Sequence, residues 1–155
     1  MCKLCWALLA VMILVTGGLT YKFMIQGDTV TGTDGRAALQ LNGAERDLVL
    51  SEMRAFLVSV QQITKGIAEN DMELVAEYAS RVGRAAQQDV PMSLMGKLPI
   101  GFKKLGLSTH AAFDQLALDA REFGGRDQTL AALHELMNNC VACHAAYRIE
   151  TISKR

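Results

Sequence analysis

The sequence predicts an all-α protein, an antiparallel up-down-up-down four-helix bundle behind an N-terminal membrane-anchor helix. Three observations carry that prediction. Leu4 to Tyr21 is apolar or small throughout and bears no charge. Four later stretches repeat apolar residues at intervals of three and four, the pattern of helices buried along one face. The connections between them are short and hold Gly, Asn, Asp or Pro, and short connections make consecutive helices antiparallel neighbours. No stretch reads as a strand, and there is no internal repeat.

At 155 residues the chain has room for one domain and an additional segment. Its 50% hydrophobic content is high for a globular protein, partly because of the first 24 residues. Beyond them, 14 basic and 16 acidic residues leave a formal charge of −2. That balance argues against a nucleic-acid binder, which would show a basic patch. Three parts follow: residues 1–24 as anchor or signal, 25–42 as linker, and 43–155 as the folded domain.

Lys3 and Lys22 bracket the apolar run. Its length is at the lower limit for a membrane-spanning helix and above a usual signal-peptide core. No Ala-x-Ala cleavage site follows; Thr16-Gly17-Gly18 is the nearest substitute. An uncleaved anchor is therefore expected, with a cleaved signal peptide as the rival; either exports the rest of the chain. Cys2 and Cys5 form a Cys-x-x-Cys pair followed by Trp6, and are read as reduced thiols without a role. Gln26 to Asn42 is rich in Gly, Thr and Asp, with a turn signal at Asp34-Gly35, and reads as a linker lifting the domain off the membrane. Leu39 and Leu41 alternate with polar residues, so its end is expected against the domain.

Asn42-x-x-Glu45 has capping-box spacing and opens the first bundle helix. Val49, Met53, Phe56, Leu57, Val60, Ile63 and Ile67 form its stripe. Asn70-x-x-Glu73 repeats the cap signature for a second helix, expected to run to about Gln88. Asp89-Val90-Pro91 ends it, because proline disfavours helix at the residue before it. Val90 to Pro99 is a loop or a short helical turn. A third helix is expected from Ile100 to Phe123, stopped by Gly124-Gly125. A fourth, capped by Asp127, is expected to reach Ile149 with Leu130, Leu133, Met137, Val141, His144 and Tyr147 in phase. Glu150 to Arg155 is a polar tail.

The chemistry is concentrated in Cys140-Val141-Ala142-Cys143-His144. Cys-x-x-Cys-His is the attachment site of a c-type haem, with thiols forming thioethers and imidazole binding the iron. On a helix these residues fall at i, i+3 and i+4, so one face can grip one planar cofactor. A dithiol or metal module would need a second ligand pair or a strand-bearing context, and the sequence shows neither.

Four helices ending in Cys140-Val-Ala-Cys143-His144-Ala-Ala-Tyr147-Arg148 resemble the class II c-type cytochromes, that is, cytochrome c′ and its low-spin relatives. The chain is also similar to the four-helix periplasmic b-type cytochrome. The resemblance covers about residues 43–149. It implies one haem c per chain and electron carriage between redox partner proteins at the bacterial inner membrane, with the haem domain in the periplasm, or a soluble periplasmic protein if the signal is cleaved; the residues themselves show no triad or Gly-rich phosphate loop, so no catalytic constellation is expected. Relatives of this kind often pair through the first bundle helix, so a homodimer is the oligomer it implies.

The second axial position decides between an electron carrier and a gas binder. In the b-type relative a Met lies one turn into the first helix with an Ile ten residues later; Met53 and Ile63 repeat that spacing. Met53 lies about 15 Å along its helix at 1.5 Å per residue, compatible with a haem on His144. Met92, Met95, His110 and, less so, His134 are the rivals. If Met53 is only core, Phe56 or Leu57 covers an open site and the protein binds nitric oxide or carbon monoxide. Arg148 is expected on the His144 face, where it could neutralise a propionate or contact the ligand helix, or sit in solvent as a helix-terminal cation.

Overall fold

The computed structural model describes residues 3–88 and 90–152. Cys2, Asp89 and the end of the polar tail, Ser153 to Arg155, lie outside the described residues. Among those described are six α-helices and a three-stranded sheet. Helix α1 spans Lys3–Thr20 and continues through wider π-type turns over Tyr21–Gln26. None of its residues is buried, and Lys3–Gln26 is long and apolar enough to cross a bilayer.

Helices α2 (Gly43–Glu69), α3 (Met72–Arg81), α5 (Ile100–Glu122) and α6 (Arg126–Ala146) share the main core. The predicted capping box opens α2: Asn42 Oδ1 accepts from the Glu45 amide at 2.9 Å, and Glu45 Oε2 accepts from the Asn42 amide at 2.9 Å. Asn70 ends α2 in the left-handed conformation, φ 59°. The cap of α3 is therefore Asp71, one residue later than expected, accepting from the Leu74 amide at 3.0 Å. Helix α3 stops at Arg81, well short of Gln88. Gly83 lies against Asp114, where a Cβ would meet the carboxylate, and Asp114 accepts the Arg84 amide at 3.1 Å. A single tight turn, Arg84–Gln87, and the four-residue helix α4 (Met92–Met95) then lead to α5.

On α6, Gly125 rather than Asp127 occupies the cap position; Asp127 lies in the first turn, where a carboxylate still suits the helix dipole. The buried stripe is Thr129, Leu133 and Leu136, leading to the half-buried Cys140 and Cys143. Leu130, Met137 and Val141, expected inward, are exposed. The helix is rotated by about one position because it packs more closely on α5 than on α2.

The larger departure is the sheet. Residues 25–42 are not a linker: β1 (Thr29–Thr31) and β2 (Ala37–Leu41) form a hairpin around Gly35, whose φ of 83° the turn requires. The last helix ends at Ala146 instead of Ile149, and β3 (Tyr147–Thr151) runs parallel to β2, with Ala37 opposite Tyr147 and Leu41 opposite Thr151. A parallel pair needs a long crossover; here the whole helical body is that crossover. Leu39 and Leu41 are fully buried, so the expectation that this segment ends against the domain holds, and they join Val49, Leu94 and Leu98 in a second core.

Candidate haem site

Between α2, the segment from Arg81 to Leu98, α5 and the end of α6 lies a cavity of about 600 Å³. That is within the range of small-molecule and cofactor pockets, and its lining is largely apolar, as such pockets require. Cys140, Cys143 and His144 line it from α6; Met53 and Phe56 line it from α2. The structure thus brings together, around one hollow, residues some ninety positions apart in sequence. A more open hollow of about 290 Å³ between α5 and α6 has no thiol or imidazole in its walls.

The two cysteines are half-buried and unpaired, and His144 is exposed. Burial raises both thiols above their ordinary range, and the neighbouring Cys140 adds to the effect at Cys143. Such thiols stay protonated at neutral pH, unlike a reactive redox pair. The backbone carbonyl of His144 accepts from Arg36 Nη1 at 3.1 Å, and that of Tyr147 accepts from the same nitrogen at 3.2 Å. Arg36 is itself held by Asp34 at 2.7–2.8 Å. A hairpin from the start of the chain thereby fixes the end of the helix that carries the motif.

Across the cavity, Met53 is partly buried against the main core. Phe56 is stacked on Phe113, ring centroids 5.3 Å apart, and tilted on His110 at 4.9 Å. The rival ligands separate by their surroundings. His110 is also in the wall, but it is buried with both ring nitrogens engaged. Nδ1 lies 2.8 Å from the Val82 carbonyl and Nε2 lies 3.0 Å from Glu52 Oε1. Burial alone would lower its pKa, but the Glu52 carboxylate and the backbone carbonyls reverse that and raise it. A ring donating at both nitrogens has no lone pair for a metal. Met92 and Met95 also line the cavity; Met92 is 83% exposed, and Met95 is partly buried against the second core as well. His134 is exposed and outside the cavity.

Arg148 departs from expectation. It lies on β3, not on the His144 face of a helix, and pairs with Asp34 at 3.5 Å, Glu150 at 3.3 Å and the Thr33 hydroxyl at 3.1 Å. The cations in the cavity wall are Lys103 and Arg81, neither of which stood out by spacing or motif. Arg36 and Glu52 were likewise unsignalled, since each acts through a partner distant in sequence.

The residues present fit a haem in four respects: cavity size, an apolar lining, two thiols and an imidazole on one helix, and thioethers, Met53 on α2 among them, in the same wall. Among the described residues no group of three or more His, Cys, Asp or Glu could hold a bare metal ion. No protein-family profile, curated relative or solved structure matches this chain.

Proposed function

We propose that the protein is a membrane-tethered c-type cytochrome that carries one electron through a covalently bound haem. Its body is read as a class II four-helix bundle, with the small sheet as an addition. The observation that carries the reading is the shared cavity of Cys140, Cys143 and His144 with Met53 on the facing helix. Cys140 and Cys143 would hold the group by thioether bonds, and His144 and Met53 would bind its iron. Bound haem supplies one-electron iron chemistry. The chain supplies the rest: Phe56 and the second core exclude water, Arg36 holds the His144 backbone, and Lys103 and Arg81 offer positive charge for propionates. The α1 helix is read as an uncleaved anchor in the inner membrane, with the domain in the periplasm. The support for this is that Tyr21–Gln26 continue it without a break up to the domain.

Visible and near-infrared spectra of the haem-loaded protein in both oxidation states, with and without carbon monoxide, test this reading. The expected result is a ferric sulfur-to-iron charge-transfer band and slow or no carbon monoxide binding. Met53→Leu should abolish the band and admit carbon monoxide. Rapid binding to the unsubstituted ferrous protein would instead establish an open gas-binding site, and an unchanged spectrum in Met53→Leu would move the ligand to Met92 or Met95.

A further inference from the structure

The anchor was expected to be joined to the domain by a flexible spacer, and the junction is built differently. Only Gly27 and Asp28 separate the end of the long helix from β1. Both are locked into the domain. The Asp28 amide donates to the Lys97 carbonyl at 2.6 Å, and the Gln40 amide donates to the Asp28 carbonyl at 2.8 Å. Lys22 Nζ reaches the Gly27 carbonyl at 2.8 Å and pairs with Asp28 at 3.1 Å, while Lys103 Nζ donates to the Phe23 carbonyl at 3.3 Å. Gly27 has φ 64°, and a Cβ there would lie 2.6 Å from Pro99 N and 2.7 Å from the Leu98 carbonyl carbon, on top of the Lys97 oxygen. No room is left for a hinge.

The position of the water–lipid boundary follows from the residues. Lys3 to Lys22 at 1.5 Å per residue spans about 30 Å, the thickness of the hydrocarbon core. Tyr21 and Lys22 then lie at the headgroups, as interfacial aromatic and basic residues do. Phe23, Met24 and Ile25 follow, all exposed and apolar. Where Gly96 lacks a side chain, the Phe23 ring would come within 3.8 Å of a Cβ. Immediately beside this junction the domain exposes Met92, at 83%, and Ile100, with the basic Lys103 and the exposed Lys104 on the next turn of α5. An apolar tip rimmed by lysines is the composition of an interfacial membrane contact.

We propose that this face, α4 and the first turn of α5, rests on an anionic lipid surface. Met92 and Ile100 enter the headgroup layer and Lys104 lies against lipid phosphates. Met92 and Lys103 also line the cavity, so the cofactor site is held at the membrane surface. The opposite end of the body, at Asn70 and Gly125, stands the length of α2 away, about 40 Å for its 27 residues. The haem is thereby offered to redox partners working at the bilayer and turned from those that approach the far end. This rests on the reading of α1 as a membrane anchor.

Photolabelling separates the two readings. The full-length haem-loaded protein is placed in vesicles of phosphatidylcholine and phosphatidylglycerol. These contain a phospholipid with a diazirine near the headgroup, and adducts are mapped by mass spectrometry. Adducts on Phe23–Gln26 and on residues 92–104, with none at 124–128, are expected. Replacing Lys104, exposed and outside the cavity wall, by Glu should lower labelling of 92–104 about fivefold or more, the order of effect of losing one basic side chain at an anionic surface, and leave Phe23–Gln26 unchanged. Labelling confined to Phe23–Gln26 would overturn the seated face and keep the anchor. Absence of labelling throughout residues 3–26 would overturn the anchor, and the inference with it.

Discussion

His110 shows how a single side chain narrows a chemical choice. As a sequence position it is a plausible iron ligand; as a buried ring donating to Val82 and Glu52 it is a structural pin that fixes Glu52, the neighbour of Met53 on α2. His110→Gln should therefore leave the haem charge-transfer band in place while destabilising the fold by about 2 kcal/mol, the cost of orphaning a buried partner in a half-exposed pair. Visible spectra and urea titration on the same sample check both halves; an unsubstituted ferric protein without the sulfur band, whose spectrum His110→Gln alters at unchanged stability, would reinstate His110 as a ligand. Phe56 makes the complementary point. It was read as a cover for an open iron site, but it is 9% exposed and stacked on Phe113, so it serves core and cavity together. Phe56→Ala should cost about 3–5 kcal/mol, measurable by chemical unfolding, whatever occupies the cavity.

At the scale of elements, legibility followed locality. The start of α2 was readable because a capping box is written within four residues and a buried stripe repeats every turn. Cys140, Cys143 and His144 were readable for the same reason. Strand β3 was not, because its partner lies 110 positions earlier and Tyr-Arg-Ile-Glu-Thr, coming straight after a helix, continues a helical phase as easily as it starts a strand. The stop of α3 at Arg81 was hidden for a similar reason: it depends on Asp114, on another helix, meeting Gly83 and Arg84. The β2–β3 corner also carries a pH dependence. Hydrogen bonds from Arg36, with the further charge of Arg148, lower the Asp34 carboxyl from 3.8 to about 2. A depressed carboxyl stabilises the fold fully above its unfolded value and progressively less as pH falls through its folded one. The corner should thus hold above about pH 4–5 and loosen as pH falls toward 2, and Asp34→Asn should flatten that stretch of the profile. Hydrogen exchange at the amides of residues 147–151, followed from pH 6 to pH 3, would reveal it; an unaltered profile in the variant would show that the corner is held by its backbone pairing alone.

For the whole molecule, the question is where the folded body begins. As a linker, residues 25–42 could be removed without loss. As a hairpin, they close the sheet, fill the second core with Leu39 and Leu41, and fasten the carbonyls of His144 and Tyr147 through Arg36. Burying a leucine side chain contributes about 1.5–3 kcal/mol, so the two leucines alone supply about 3–6 kcal/mol of a domain stability that is typically about 5–15 kcal/mol. Removing the segment would also uncover Leu94, Leu98 and Val49, which line the lower cavity wall. A chain starting at Gly27 should therefore fold with nearly the full transition seen by circular dichroism and take up haem. A chain starting at Gly43, which keeps every residue of the four core helices, should melt about 12–24 °C lower, since 1 kcal/mol shifts a domain of this size by roughly 4 °C, and lose much of its haem. Equal melting of the two chains would mean that the sheet only decorates the body, and that the end of α6 is held by helix packing alone.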